Sequence, residues 1–460
     1  MKFNGGYNIM LEGRPASEVH ILPEPEALYL PLSSRRFEFS DVRVAEGERV
    51  HPGQVLAQDP EHHSVPLLAP RAGTVRLESA ENHIVLEDIA KEAEESYHPD
   101  ESLQHVPRDM GSVGMKRYKL LVLGAWQFVY DAHTGAVPDP FGTPRAVIVS
   151  TLHLEPYVAR GDVQIRKRLS SFTRGLEQLQ SLLEYQPVYL IVPDIESEFA
   201  QQVRDTLRGY AWVKLIQVPL KYPFDSFALL ARRLGLKRED DSPVWALDTA
   251  GVLAMDRALT LSHPATVRIV SIGGPAVEAP MHLKAMPGYP ISKILSSRVS
   301  SAEECRVING GVLTGTAAEG VPLGLDIECQ GLTVLKEQTE REFLGFMRLG
   351  ADRRSYSRCF ASLLRGSFGE RLTTALRGER RPCVACGFCE EVCPAGIMPH
   401  LIHKYLYQDA LEEAESARVD LCIGCGLCSF VCPSKIELAK QLLDAQETIQ
   451  QELHPEEVEA

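Results

Sequence analysis

Two cysteine runs constrain this 460-residue chain more than anything else in it. Cys383, Cys386, Cys389 and Cys393 precede Pro394, and Cys422, Cys425, Cys428 and Cys432 precede Pro433. Each run reads C-x2-C-x2-C-x3-C-P, in which three closely spaced thiolates hold one face of a [4Fe–4S] cube and the fourth serves the other cluster. The expected ligand sets are therefore crossed. Cys383, Cys386, Cys389 and Cys432 would hold cluster 1, and Cys422, Cys425, Cys428 and Cys393 would hold cluster 2. Gly387, Gly424 and Gly426 let the backbone wrap tightly and point amides at the sulfurs. The plainer alternatives are zinc knuckles or a disulfide framework. Zinc takes four ligands per site and usually shows two separated C-x2-C pairs, so the doubled run favours clusters.

The remaining cysteines of the 11, Cys305, Cys329 and Cys359, read as inert buried thiols. Cluster thiolates and free thiols both imply a reducing compartment. A net charge of −14 argues against nucleic acid as a partner. No apolar run approaches the ~18 residues of a membrane span, and the start, MKFNGGYNIMLEGRP, lacks the apolar core of a signal peptide. The chain is expected to be soluble or peripheral on a membrane complex.

The length allows about three or four domains. The fold expected is multidomain α/β. Residues 1–36 read as an irregular N-terminal segment. Over 37–90, short β-branched runs punctuated by Gly47, Gly53 and Gly73 predict strands and tight turns. Their pattern resembles the barrel-sandwich of lipoyl and biotinyl carriers, but no lysine stands between Lys2 and Lys91, so no covalent cofactor is carried. An acidic stretch, 91–115, reads as linker.

From 116 to 274 strands and helices alternate, which implies a mostly parallel, Rossmann-like sheet covered on both faces. Tyr118–Leu123, Ala146–Ser150, Val188–Val192, Val213–Val218, Val244–Leu247 and Val267–Ile272 are the expected strands. Residues 275–340 read as a small β-grasp-like module of the SLBB type, and 341–382 as a basic helical connector rich in arginine. A helical cluster domain, 383–446, and an acidic tail, 447–460, complete the chain.

The glycine-rich loops offer little chemistry. Gly273-Gly274-Pro275 opens no G-x-G-x-x-G, and Gly310, Gly311 and Gly315 in NGGVLTG lack a P-loop lysine, so turn geometry is the default reading for both. His400 and His403 are expected at the surface, and Lys435 lies where a basic group would stabilise a reduced cluster. No catalytic acid–base or nucleophilic constellation stands out, so no catalytic residue is assigned.

The stretches GGYNIMLEGRP, TPRAVIVSTLHLEP, SIGGPAVEAP, ISKILSSRV and FLGFMRLGADRRSYSRCFASLL resemble the NqrA family of Na+-translocating NADH:quinone reductases. The cysteine runs and RVINGGVLTG resemble the related RnfC family of the Rnf complex. Two departures shape what the resemblance implies. NqrA members have lost most of these cysteines, whereas this chain keeps all eight and should carry electrons itself. RnfC members have a GxGGAGFP-type flavin and NADH loop, and the corresponding DMGSVGMKRYKLLVLGAW does not match it, so FMN and NADH are not expected here.

The resemblance therefore implies a peripheral electron-transfer subunit on the cytoplasmic face of an ion-translocating NADH:quinone or ferredoxin:NAD oxidoreductase, not catalytic alone. Its implied partners are other subunits of a membrane redox complex, with quinone at a subunit interface. Two other readings stand beside it: a scaffold or assembly subunit with structural clusters, and a soluble flavin- or NAD-dependent iron–sulfur oxidoreductase.

Overall fold

A computed structural model describes residues 3–78, 80–91, 111–195, 197–238, 242–301, 304–318, 320–338, 372–374 and 379–453. Cys359 and nearly all of the arginine-rich connector lie outside the described residues.

Strand β1 (Val19–Ile21) comes first, then β2 (Leu28–Pro31), β3 (Asp41–Val42), β4 (Arg49–Val50), β5 (Val55–Asp59), β6 (Val65–Leu68), β7 (Gly73–Arg76) and β8 (His83–Glu87). Strands β2-β8-β7-β4 make one antiparallel sheet and β3-β5-β6 another. Their apolar side chains, Leu28, Leu30, Leu56, Val75, Ile84 and Leu86 among them, are fully buried. The N-terminal segment is less irregular than its prolines suggest: β2 pairs with β8, and β1 runs parallel to a strand more than 250 residues later. Tertiary pairing overrode a weak local signal there.

The parallel unit begins with α1 (Gly111–Val122) and β9 (Val129–Asp131). Tyr118–Leu123, expected as a strand, is the end of α1 and the turn after it. A short apolar run cannot by itself distinguish a buried helix turn from a strand. Arg117 anchors α1, donating to the carbonyls of Pro140 at 3.2 Å, Gly142 at 2.7 Å and Leu182 at 2.8 Å.

Next come β10 (Ala146–Ser150), α2 (Gly161–Ile165), α3 (Leu169–Gln180), β11 (Val188–Pro193), α4 (Glu198–Leu207), β12 (Val213–Val218), α5 (Phe227–Arg233), β13 (Val244–Leu247) and α6 (Thr249–Thr260). The sheet order is β12-β11-β10-β13-β9, parallel except for β9. Central β10 is apolar on both faces: Val147 and Val149 join one core, and Ala146 and Ile148 the other. That is what a sheet covered on both sides demands. On one face α3 meets α6 so closely that a Cβ on Gly175 would lie 2.2 Å from the Val252 carbonyl.

A six-stranded sheet then forms from β14 (Arg268–Gly273), β15 (Met281–Ala285), β16 (Cys305–Asn309), β17 (Thr316–Ala317) and β18 (Gly331–Lys336), with α7 (Ile291–Ser296) beside it, in the order β1-β15-β14-β18-β16-β17. β14, expected as the last strand of the parallel unit, pairs instead with β15 and β18.

The cysteine-rich end is helical: α8 (Phe388–Val392), α9 (Pro399–Leu406), α10 (Leu411–Ser416), α11 (Leu427–Phe430) and α12 (Leu438–Leu453). Ile402, Ala414, Val419, Leu442 and Ile449 form its core. Among the described residues no helix is long and apolar enough to cross a membrane.

Candidate iron–sulfur centre

The two cysteine runs adopt one backbone design. Gly387 opens α8 at φ 77° and Gly426 opens α11 at φ 75°, so the third cysteine of each run, Cys389 and Cys428, stands second in its helix. One residue before the second cysteine the chain is again left-handed, at Ala385 (φ 51°) and Gly424 (φ 62°). It is so once more after each Cys-Pro, at Gly396 (φ 74°) and Lys435 (φ 59°). Sequence alone reveals this conformation only where glycine marks it. Ala385 and Lys435 carry it without that signal.

The thiols fall into two groups. Burial raises the Cys428 thiol, and so do the nearby thiols of Cys425, Cys422 and Cys393. Burial pushes Cys425 up to about 12, with Cys422 and Cys393 adding to the rise. Cys422 is likewise raised, by burial first and then by Cys393. Separately, burial pushes Cys389 up to about 11, and its thiol neighbours are Cys386 and Cys432. Cys383 is tied to this second group through the backbone: Ser434 Oγ donates to the Pro382 carbonyl at 2.9 Å and Arg381 N to the Ser434 carbonyl at 3.0 Å.

The groups abut, because Cys389, Cys428 and Cys432 pack together with Leu438. Cys422, Cys425 and Cys428 thus gather with Cys393, the last cysteine of the first run, and Cys386 and Cys389 with Cys432, the last of the second; such donors suit thiolate-ligated clusters. Among the described residues no three His, Cys, Asp or Glu side chains converge as one metal ion would require. His400 lies with Nδ1 3.9 Å from Cys389 Sγ, and His403 Nδ1 is 2.7 Å from Gln441 Oε1; both histidines are part-buried rather than exposed.

The NGGVLTG loop is already filled. The Glu155 carboxylate accepts from Leu313 N at 2.7 Å, Thr314 N at 2.8 Å and the Thr314 hydroxyl. A Cβ on Gly311 would lie 2.2 Å from this carboxyl group. The SIGGP loop is packed too, with Gly274 N donating to the Gly13 carbonyl at 2.9 Å and its Cα facing Val334. Both loops are therefore built on turn geometry and close packing.

At the carboxyl ends of β10 and β11 lies a cavity of about 760 Å³ whose lining includes Leu152, His153, Tyr157, Phe199 and Tyr222. Crevices at this end of a parallel sheet are ordinary ligand positions. Behind its wall His153 faces Asp248 at 3.4 Å. Burial works most strongly against the His153 charge, but the bond to Asp248 and the charges of Asp248, Asp225 and Asp162 together raise the imidazole. Burial likewise opposes the Asp248 charge, and His153, the Gly251 amide and Arg268 together keep its carboxyl below the usual range. His153 Nδ1 is buried with no protein partner. Asp225 accepts from Leu154 N at 2.8 Å, and burial pushes its carboxyl up to about 6.

Fold and thiol groups together define an α/β protein with a helical iron–sulfur domain. The 4Fe-4S dicluster domain family matches residues 373–437. The NqrA second alpha/beta domain family matches residues 115–232, and the NQRA C-terminal domain family residues 269–320. Over most of its length the chain is a relative of NqrA, a subunit of Na(+)-translocating NADH-quinone reductase, and carries that family's domains. It is 27% identical to the Pseudomonas aeruginosa NqrA protein over 422 residues, covering 90% of this chain and 91% of that one. The Alcanivorax borkumensis protein is 28% identical over 372 residues, 78% of each chain. Among solved structures, an H2-reduced NAD+-reducing [NiFe]-hydrogenase chain aligns over 77% of this chain and 63% of its own, at 9% identity and a TM-score of 0.39.

Proposed function

We propose that this chain is a subunit of a Na+-translocating NADH-quinone reductase, peripheral on the cytoplasmic face of its membrane complex. In this reading its C-terminal domain relays single electrons through two [4Fe–4S] clusters. Cys383, Cys386, Cys389 and Cys432 ligate one cluster, and Cys393, Cys422, Cys425 and Cys428 the other. The observation that carries the reading is that Cys393 of the first run lies among the thiols of the second, and Cys432 of the second beside Cys386 and Cys389 of the first. The clusters, when bound, accept and pass on electrons one at a time.

The chain's own part is to hold the ligands, exclude water and set the spacing of the groups. FMN and NADH belong on other subunits, and quinone at a subunit interface, where the cavity beside Tyr222 gives room for a ring. The two small sheets of residues 28–87 act as a barrel-sandwich module for docking, and β15 to β18 of the six-stranded sheet correspond to the β-grasp-like module of 275–340.

The test is iron and acid-labile sulfide on anaerobically purified chain, with EPR after dithionite. About eight irons and two interacting cubane signals are expected. Zinc alone, or no metal, would remove the relay. Clusters that stay oxidised throughout turnover of the complex would make the chain a scaffold.

A further inference from the structure

The two thiol groups sit in unlike electrostatic surroundings. Three donors from the parallel α/β unit reach the group of Cys393, Cys422, Cys425 and Cys428. Arg232 Nη1 donates to the Leu421 carbonyl at 2.6 Å, Arg233 Nη2 to the Pro394 carbonyl at 3.2 Å, and the Tyr222 hydroxyl to the Cys425 carbonyl at 2.7 Å. Every one of these carbonyls belongs to a cysteine of the group or to its immediate neighbour. Arg232 and Arg233 close α5 and are half-buried, and the Arg232 charge is felt directly by the Cys422 thiol. Asp420 and Arg418 also face Arg232, but they oppose one another as an exposed ion pair at 2.9 Å.

The charges placed beside the other group come from its own domain: Arg380 pairs with Glu437, His400 faces Glu390 at 3.9 Å, Arg381 is exposed, and Lys435 follows Cys432 by three residues. Cys386 of that group is exposed.

One-electron reduction makes a thiolate-bound cluster more negative by one charge, breaks no bond and moves no proton. An adjacent guanidinium cannot lose its proton and is only partly screened by water, so it stabilises the reduced form. Net charge, hydrogen bonds near the sulfurs and solvent exposure are the protein's means of setting such a potential. We propose that Arg232, supported by Arg233 and Tyr222, is a positioning residue that raises the reduction potential of the Cys393, Cys422, Cys425 and Cys428 cluster, offsetting the burial that disfavours its added charge. The electron lost by the outer cluster is the electron gained by the inner one, so this contribution favours transfer toward the α/β body. This inference rests on the two-cluster reading above.

The test is a potentiometric titration of anaerobically purified full-length chain, followed by EPR, with Cys389→Ala and Cys428→Ala chains assigning each signal. Arg232→Gln is expected to lower the inner midpoint by about 59 mV, tenfold for a one-electron couple, and to leave the outer one in place. Arg232→Lys should recover most of that shift, and Tyr222→Phe should lower the same midpoint by less. Full iron with an unmoved inner midpoint, or an equal shift of both midpoints, overturns the inference while leaving the two-cluster reading intact. Wild-type chain without labile sulfide removes both. If Arg232→Gln does not load clusters, Arg233→Gln and Tyr222→Phe decide, and unmoved inner midpoints in both overturn the proposal.

Discussion

The first and second cysteine runs have the same spacing and the same sequence of left-handed turns, yet they meet different neighbours. The loop of the second run lies against the body of the protein: Ile423 packs on the core beneath β10 and β13, Gly426 faces the Leu313 carbonyl, and Cys425 receives the Tyr222 hydroxyl. The N-terminal segment meets the end of the first run, at the cysteine that neighbours the second run's thiols, with Gly6 N donating to the Val392 carbonyl at 2.8 Å and Gly5 against the Cys393 carbonyl. The loop of the first run leaves Val384, Ala385 and Cys386 exposed. A motif that specifies its own backbone does not specify its electrostatics. Those come from whatever the rest of the chain brings alongside.

The largest effects expected test which thiols belong together. Cys393→Ala should remove the cluster of the second run and Cys432→Ala that of the first, each lowering iron from about eight to about four per chain and abolishing quinone reduction by the assembled complex. Loss of the first run's signal in Cys393→Ala would show that the groups are not crossed, and full turnover in either variant would exclude an obligatory relay.

Next in size is Glu155→Ala. It strips the NGGVLTG loop of a charged acceptor shared by two amides and a hydroxyl, at a cost of about 3 kcal/mol. Since Leu313 of this loop supports Gly426, the second run should feel the change more than the first. The expected readings are faster hydrogen exchange at Leu313 and Thr314 and earlier chelation of the second run's iron. Equal loss from both clusters would contradict the asymmetry.

Asp225 gives a smaller, pH-dependent effect on the body side of the same contact. Its folded carboxyl titrates near about 6, above the ordinary value of 3.8, so folding binds a proton between those values. The stabilisation is complete below about pH 4 and is lost as pH rises through about 6. Asp225→Asn keeps an oxygen to accept from Leu154 N, so it should stabilise the chain by about 2 kcal/mol at pH 8 and hardly at all at pH 4. Thermal midpoints at the two pH values check this, and an equal gain at both would show that the charge is not the cause.

The smallest effect concerns the backbone that the runs share. Ala385, left-handed and exposed, holds the place that Gly424 holds in the second run. Ala385→Gly should relieve strain of about 1 kcal/mol and raise the thermal midpoint slightly. Gly424→Ala should do the reverse, and more strongly, since a Cβ there meets Leu443 at 3.3 Å.

Much of the architecture was legible along the chain. The strands Val188–Pro193, Val213–Val218 and Val244–Leu247 and the helices between them follow from alternating apolar runs and from end signals such as Ser197, which caps α4 by accepting from Ala200 N at 3.1 Å. The turn role of NGGVLTG was legible too, but not its occupant, because Glu155 lies 158 residues upstream of Leu313. Tyr118–Leu123 was misread for want of a longer period, and β14 for want of a partner: a strand's sequence reports its burial, not the sheet that buries it.

By itself, then, the sequence determined what is local: the thiol spacing, the glycines that turn the cysteine loops, and the alternation that makes a parallel sheet. Only the tertiary structure decided where the two loops lie, and that, among the described residues, Arg232, Arg233 and Tyr222 reach the backbone around Cys393, Cys422 and Cys425. Such contacts join residues roughly 160 to 200 positions apart. No periodicity encodes them, because they arise only when separately folded surfaces bury their apolar faces against each other and carry the charged side chains at their rims into place.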